Sequence, residues 1–194
     1  MKSPIIPITD DHIHIDPVNG RGLDAAKDFL RAGGSHLFLV TKPSSSFGIR
    51  PRTGREYVKV FEETIAVADQ IRALGINVFV VLGIHPAEIT RISAELPLNE
   101  AVAAMKKGLD IAASYISDGR AIALKSGRPH YPVPDDVLSA SNDVLSHALV
   151  LAAEEAEGVG IAVHDADDVD ERENQAKSDA DEDGRQCRRK QDFP

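Results

Sequence analysis

The stretch Ile76-Asn-Val-Phe-Val-Val-Leu-Gly-Ile-His85 gives the clearest indication of the fold of this 194-residue chain. It is almost continuously apolar and rich in β-branched side chains, as expected of a strand that is covered on both faces. An amphipathic segment ends at Gly75 just before it, and another follows Asn99. A buried strand between amphipathic helices is the repeating unit of parallel α/β folds.

The same alternation extends in both directions along the chain. Further short apolar runs predict strands at Ile8–Ile15, His36–Thr41, Arg120–Lys125 and Gly160–His164. Helices are predicted between the runs, at Leu23–Ala32, from the capping box Thr53–Glu56 to Gly75, after a cap at Asn99, and at Asp135–Glu157. This order predicts right-handed βαβ units and a parallel sheet, as either an open doubly wound sheet or a closed barrel.

The character of the chain changes after His164. Asp165–Pro194 is dominated by charged and amide side chains, and Val169 and Phe193 are its only sizeable apolar residues. Such a segment buries too little apolar surface to offset the entropy that is lost on ordering it. We therefore predict a folded domain at residues 1–164 and a disordered acidic tail at 165–194.

Composition narrows the classes of function. A formal charge of −9 argues against a protein whose main role is to bind nucleic-acid backbones, but a bound cation still allows nucleic acid as a substrate. Cys187 is the only cysteine, so no internal disulfide and no cysteine zinc site is expected. No signal-peptide pattern and no apolar run of ~18 residues is found, so we expect a soluble, cytoplasmic chain without a membrane span. The oligomeric state is not indicated.

The stretch Asp10-Asp-His-Ile-His-Ile-Asp16, in the first predicted strand, carries the strongest chemical pattern. Strand side chains alternate between faces, so His12 and His14 point the same way and can share one cation. Ligands of parallel α/β folds bind at the carboxyl ends of strands, where this pair lies. The alternative interpretations are an ordinary polar strand end and an adventitious metal site.

A single histidine closes the third predicted strand, in Gly83-Ile-His-Pro86. His85 is expected on the same face as the histidine pair, where the chain leaves the sheet. The alternative is a solvated histidine or one that caps the turn.

A polar loop, Lys125-Ser-Gly-Arg-Pro-His-Tyr131, follows the fourth predicted strand. Arg128 offers a planar guanidinium that suits an oxyanion, and His130 offers a hydrogen-bond donor or proton carrier. Prolines stiffen this loop and would hold both groups in place. The alternative is a rigid turn with two surface polar residues.

The Asp-x-His-x-His-x-Asp opening, the Gly-Ile-His-Pro turn and the Gly-Arg-Pro-His-Tyr loop together resemble the TatD-related metal-dependent hydrolases of the amidohydrolase superfamily. The resemblance covers residues 1 to about 163, in order and in spacing. It implies an α/β fold that is a partial TIM-type (β/α) barrel of about five parallel strands with intervening helices. It also implies one or two divalent metal ions (Zn, Mg or Mn) and hydrolysis of phosphoester or related bonds by a metal-activated water.

The same resemblance implies roles for individual residues. Three positions are implied as metal ligands, namely His12, His14 and His164. Three more are implied on the substrate side, as catalytic groups, namely His85, Arg128 and His130. The implied substrate is a small-molecule or phosphoester compound. Nucleic acid is implied as a substrate and not as a stably bound partner.

Lys125 departs from the family pattern. The better-known members carry a metal-bridging glutamate at the end of strand four, in Gly-Glu-x-Gly, whereas this chain has Leu124-Lys-Ser-Gly127. Other branches of the superfamily use a carbamylated lysine on this strand, which restores an anionic ligand. Lys125 is therefore interpreted as a carbamylated metal ligand or as an ammonium group that contacts substrate, and a surface lysine without a role is the third interpretation.

The last strands of such a barrel have no counterpart in this chain. A complete barrel takes about 250 residues. In the family, later strands supply another histidine and an aspartate, and nothing after His164 matches them. We therefore expect a truncation or reading-frame shift near residue 163, and weak or absent turnover.

Two other classes of function fit parts of the sequence. A phosphoesterase of the PHP type also opens with a His-x-His strand, but the Gly-Ile-His-Pro and Gly-Arg-Pro-His-Tyr elements favour the TatD-like interpretation. The other class is a non-catalytic fragment or interaction protein that binds a partner through its acidic tail.

Overall fold

A computed structural model describes residues 6–16, 18 and 20–156 of the protein. The strands among them are β1 Ile8–Ile13, β2 Gly34–Val40, β3 Asn77–Gly83 and β4 Ala123–Lys125, all parallel and in the sheet order β1-β2-β3-β4. The helices are α1 Leu23–Arg31, α2 Tyr57–Arg72, α3 Glu88–Ser93, α4 Leu98–Ser117 and α5 Asp135–Ala156. The sheet curls into half of a barrel, which confirms the expected partial TIM-type α/β fold.

The predicted strands are present wherever the described residues cover them, but β2 ends one residue early, at Val40, and two others end earlier still. β1 ends at Ile13 and β3 ends at Gly83, each two residues before its predicted end. His14 and His85 therefore lie just beyond their strands, in the segments that leave the sheet. The fifth predicted strand, Gly160–His164, lies outside the described residues, as does the tail, so the domain boundary at 164 stays a prediction.

The pairing of β1 with β2 is irregular. Asp10 lies opposite Leu37 and Ile13 lies opposite Leu39, so β1 carries one more residue than β2 over this span. A bulge of this kind bends a strand and re-aims its side chains. The bend lies directly beneath the predicted metal ligands.

The main core lies between the sheet and the helices that cover its convex face. The largest fully buried apolar side chains include Tyr57, Phe61 and Ile71 of α2, Leu109 of α4, and Leu37, Leu39, Leu82 and Leu124 of the strands. Each such side chain contributes roughly 1.5–3 kcal/mol by its removal from water. None of the described helices is long and apolar enough to cross a membrane.

A second, smaller apolar cluster lies on the opposite, concave face of the sheet. It consists of Val40, Val81 and Ala123, with Phe38 and Ile122 packed against them. The two faces of β2, β3 and β4 therefore pack against separate sets of side chains, which explains the continuous apolar run in the sequence of β3.

Two helix starts test the sequence predictions. The capping box at Thr53–Glu56 is confirmed, because the Thr53 backbone N–H donates to Glu56 Oε2 at 3.1 Å and the two side chains satisfy each other's backbone donors. The predicted cap at Asn99 is wrong, because α4 already begins at Leu98. The carbonyl of Pro97 accepts the first helical hydrogen bonds, from residues 100 and 101, at 2.9 and 3.0 Å.

Candidate active site at the carboxyl edge of the sheet

His12 and His14 are brought together at the end of β1. Their Nε2 atoms are 3.2 Å apart, and their rings meet edge to face with centroids 4.9 Å apart. Two nitrogen ligands at ~2.0–2.1 Å from one tetrahedral ion lie about 3.3 Å from each other. The structure therefore holds the two predicted ligands at a separation that suits a shared cation.

The orientation of His14 is fixed from the neighbouring strand. Its Nδ1 donates a hydrogen bond to the carbonyl oxygen of Val40, at 2.9 Å. The proton is thus on Nδ1, and the lone pair is on Nε2, which faces His12. A backbone carbonyl on the far nitrogen is the usual way in which a metal-binding histidine is oriented.

The charge state of His14 also suits metal binding. The ring keeps an exposed edge, yet burial of the remainder, followed by the charge of Lys125, lowers its pKa to about 4. The imidazole is therefore neutral at physiological pH. Only a neutral imidazole can donate its lone pair to a cation.

Lys125 ends β4 beside the histidine pair. Its side chain is 3% exposed, and its Nζ lies 3.4 Å from His14 Nε2. Burial lowers the pKa of this amine to about 8. Because the residue is buried, the interpretation as a surface lysine is wrong, while the carbamate and ammonium interpretations both remain.

His85 follows β3 at the same edge. Its Nδ1 accepts a hydrogen bond from the Ala87 backbone N–H at 3.2 Å, so the ring does cap this turn, as the alternative interpretation held. Its proton is then on Nε2, which is a hydrogen-bond donor. Burial, followed by the charges of Lys125 and His14, lowers the pKa of His85 to about 3.

The loop after β4 carries the other two predicted groups. His130 is exposed and its ring meets that of Tyr131 edge to face, whereas Arg128 is partly buried. The charge of His130 contributes to the lowered pKa of His85. The hydroxyl of Tyr131 is 2.7 Å from Thr90 Oγ1, and this contact ties the loop to α3.

An ion pair beside the site was not among the predicted features. Lys42 Nζ lies 2.7 Å from Asp16 Oδ2, and the two side chains are 19% and 12% exposed. The charge of Lys42 also contributes to the lowered pKa of His14. The sequence position of Lys42 could have indicated this, because Thr41-Lys42-Pro43 directly follows the end of β2. The other polar clusters also directly follow their strands.

A buried glutamate was missed as well. Glu88 is 1% exposed, and its carboxylate accepts hydrogen bonds from the backbone N–H and the hydroxyl of Ser44, at 2.8 and 3.0 Å. Arg91 Nη1 donates to the same carboxylate at 2.9 Å. Glu88 therefore ties the loop after β2 to α3.

The described residues supply only part of the ligand set that a divalent cation needs. Across residues 6–16, 18 and 20–156, no three His, Cys, Asp or Glu side chains are grouped so that they could hold a metal ion. His12 and His14 bring two imidazole nitrogens together, and the amine of Lys125 lies 3.4 Å from the second of them. The third predicted histidine ligand, His164, lies outside the described residues.

Comparison with known proteins identifies the family. The chain matches the family described as TatD related DNase over residues 9–187. It is 31% identical over 170 residues to the uncharacterized protein MJ1127 of Methanocaldococcus jannaschii, a match that covers 86% of this chain and 58% of that protein. The chain therefore belongs to the TatD-related family, and the resemblance inferred from its motifs is confirmed. It spans somewhat more than half the length of this relative.

Proposed function

We propose that this chain is a hydrolase that cleaves phosphodiester bonds in nucleic acid with the help of one or two divalent cations. The observation that carries the proposal is the pair His12 and His14, with facing Nε2 atoms and with His14 oriented by Val40. A bound divalent cation supplies an activated water and a positive charge for the phosphoryl oxygens. In a chain with a formal charge of −9, that charge also lets a polyanion approach.

The substrate side of the site follows from the remaining predicted groups. His85 presents Nε2–H as a neutral hydrogen-bond donor, because its Nδ1 is engaged by the turn. Arg128 provides a guanidinium for the charge that develops on the phosphoryl oxygens. His130, which is exposed, exchanges a proton with the leaving oxygen.

The proposal assigns Lys125 as the anionic ligand that the described residues otherwise lack. The neutral amine attacks carbon dioxide, an N–C bond forms, and the amine proton leaves to solvent, so that the side chain becomes a carbamate. A buried amine with a pKa of about 8 is neutral far more often at pH 8 than an ordinary lysine. The competing assignment is an ammonium group that contacts the substrate phosphate.

Membership of the TatD-related family favours this hydrolase over a phosphoesterase of the PHP type. A partner-binding role for the tail at 165–194 remains a separate prediction.

The proposed function is tested by metal dependence. Protein stripped with EDTA is assayed on DNA oligonucleotides with added Mn²⁺, Mg²⁺ or Zn²⁺, and metal binding is followed separately by calorimetry. His14→Ala should weaken metal binding by more than the ~10–100-fold that loss of an outer partner causes. His147→Ala is the matched control, because His147 pairs with Asp110 at 2.7 Å on the outer helices. Hydrolysis that survives EDTA, or an equal loss in both variants, would refute the proposal.

A further inference from the structure

A cavity of about 290 Å³ lies between the loop after β2 and the segment after β3. Both segments leave the sheet at its carboxyl edge, on the side of the histidine pair. Glu88 lines the cavity, and its backbone N–H donates to the carbonyl oxygen of His85 at 2.9 Å. The cavity and the candidate active site are therefore neighbours, although none of the roles assigned above uses the cavity.

Positive charge predominates in the wall of this cavity. Three arginines line it, Arg50, Arg52 and Arg91, against two glutamates, Glu88 and Glu95. The chain as a whole has a formal charge of −9. A local excess of arginine in an acidic protein attracts anions to that place.

The two glutamates do not repel an incoming anion fully, because both are engaged. Glu88 is 1% exposed and accepts three hydrogen bonds, from Ser44 and Arg91. Glu95 pairs with Arg52 at 2.5 Å. Each glutamate is therefore balanced by one arginine, Glu88 by Arg91 and Glu95 by Arg52, and Arg50 leaves the wall with a net positive charge.

Arg91 keeps donors for a ligand. Its Nη1 donates to Ser44 Oγ at 3.1 Å and to Glu88 Oε1 at 2.9 Å, which engages both hydrogens of that nitrogen. The hydrogens on Nη2 and Nε make no hydrogen bond with the described residues, and the side chain is 32% exposed. Glu88 thus holds the guanidinium in place. The edge that carries Nη2 and Nε remains available for bidentate hydrogen bonding to a phosphate.

Arg50 is the second cation of the cavity. It is exposed, and it has no ion pair or hydrogen bond with any residue in the described part of the chain. It precedes Pro51, which is buried and limits the backbone at this point. Its charge is therefore available to a ligand that enters between the two segments.

The rest of the wall is apolar. Pro51, Ile92 and Leu96 line the cavity beside the arginines. A cavity lined by both cationic and apolar groups suits a phosphate that is attached to a sugar and a base. Its volume is close to the lower end of the ~300–1,000 Å³ found for small-ligand sites, so one nucleotide unit is the expected occupant.

We infer that this cavity binds a phosphate of a single nucleic-acid strand, next to the phosphodiester that is cleaved, through Arg50 and Arg91. The inference rests on the proposed function, because a strand that is hydrolysed at the metal site would make an additional contact in the cavity. A small phosphodiester would lack that additional contact. Contacts away from the reacting bond position the substrate and so favour longer ligands.

The test measures binding without catalysis. The full chain is kept in EDTA, and the binding of a labelled single-stranded oligonucleotide is followed by fluorescence anisotropy at several salt concentrations. Arg50→Gln should weaken binding about 5–20-fold and reduce the salt slope by about 0.7–1. Arg55→Gln is the matched control, because Arg55 is an exposed arginine nearby that does not line the cavity, and it should leave both quantities unchanged.

A second variant tests the geometry of recognition. Arg91→Lys keeps a positive charge near Glu88 but removes the planar edge, so it should weaken strand binding while the variant stays folded. Equal effects of Arg50→Gln and Arg55→Gln, or no binding by the wild-type chain at low salt, would overturn the inference. A mononucleotide or inorganic phosphate that displaces the strand at concentrations near the Kd of the strand would also overturn it, in favour of a free phosphate ligand.

The proposed hydrolase function and the proposed strand-binding cavity can be refuted independently. If no metal-dependent hydrolysis is found but Arg50→Gln alone weakens binding, the cavity is a strand-binding site and the hydrolase proposal falls. If hydrolysis depends on metal and on His14 while Arg50→Gln binds like the wild type, the hydrolase proposal stands and the cavity assignment falls.

Discussion

Gly83 and Lys125 lie opposite each other at the end of the β3–β4 pairing, and a Cβ atom on Gly83 would lie 1.9 Å from the carbonyl oxygen of Lys125. No side chain fits between the strands at this point. The close approach of the two backbones sets the position from which the buried amine of Lys125 reaches His14.

Gly83→Ala should therefore disturb the site as well as the fold. The added methyl forces β4 away from β3, and overpacking of this kind costs typically 1–3 kcal/mol. Because Lys125 moves with β4, we expect weaker metal binding in addition to a lower Tm. Thermal unfolding and calorimetric metal titration measure the two effects.

Gly119→Ala provides the control for that experiment. Gly119 has a φ of 72° and open space where a side chain would lie, so alanine there strains the backbone without a clash. We expect a lower Tm with metal binding unchanged. If Gly83→Ala lowers the Tm but binds metal like the wild type, the proposed link between Gly83 and the site is wrong.

Lys125→Glu places a carboxylate directly at the proposed ligand position. We expect the wild type to bind metal about 10–100-fold more tightly with bicarbonate than in carbonate-free buffer, because the carbamate needs dissolved carbon dioxide. Lys125→Glu should bind metal equally well in both buffers, and Lys125→Met should bind weakly in both. Intact mass spectrometry of the wild type checks for the added carboxylate. Affinity that does not respond to bicarbonate in the wild type would favour the ammonium assignment.

Glu88→Gln should destabilise the protein. The amide replaces a buried carboxylate oxygen with a donor, and one of the donors on Ser44 or Arg91 then faces another donor. Leaving a buried donor unsatisfied costs about 1–3 kcal/mol. Urea denaturation measures the loss. Glu95→Gln, which alters the more exposed pair with Arg52, should cost less than about 1 kcal/mol, and equal losses in the two variants would contradict the role given to Glu88.

His85 should make the metal-free protein less stable in acid. Its folded-state pKa is about 3, whereas an unperturbed histidine titrates near 6.5. Between these values the unfolded chain binds a proton that the folded chain excludes, so stability falls as the pH decreases, by at most about 1.4 kcal/mol per pH unit. His85→Asn should flatten the decline of the urea midpoint between about pH 6 and pH 4. Identical slopes for the wild type and the variant would show that burial of His85 is not responsible.

Much of the fold was predictable because a buried parallel strand can be identified from the apolar residues within its own short stretch of sequence. A continuous apolar run such as that of β3 identifies a strand with two covered faces, and polar residues just beyond such runs gather at one edge of the sheet. That rule anticipated the approach of Lys125 to His14, and it predicts His85 at the same edge of the sheet. It applies equally to Lys42, for which no role was predicted.

Other features depend on contacts that the local sequence does not contain. α3 is six residues long, which is too short for a helical repeat to stand out. Arg50 and Arg91 meet only because the segments after β2 and β3 are adjacent in the folded chain. The burial of Lys125 was equally hidden, because lysines are exposed in most settings.

The strand order β1-β2-β3-β4 follows the order of synthesis, and each strand pairs with the one made just before it. Each strand therefore extends the edge formed by the strand that precedes it in the sequence. The hydrogen bond from His14 to Val40 joins the segments at the ends of the first two strands. The orientation of His14 therefore depends only on the first forty residues, and a substitution in β4 can remove Lys125 from the site without removing this hydrogen bond.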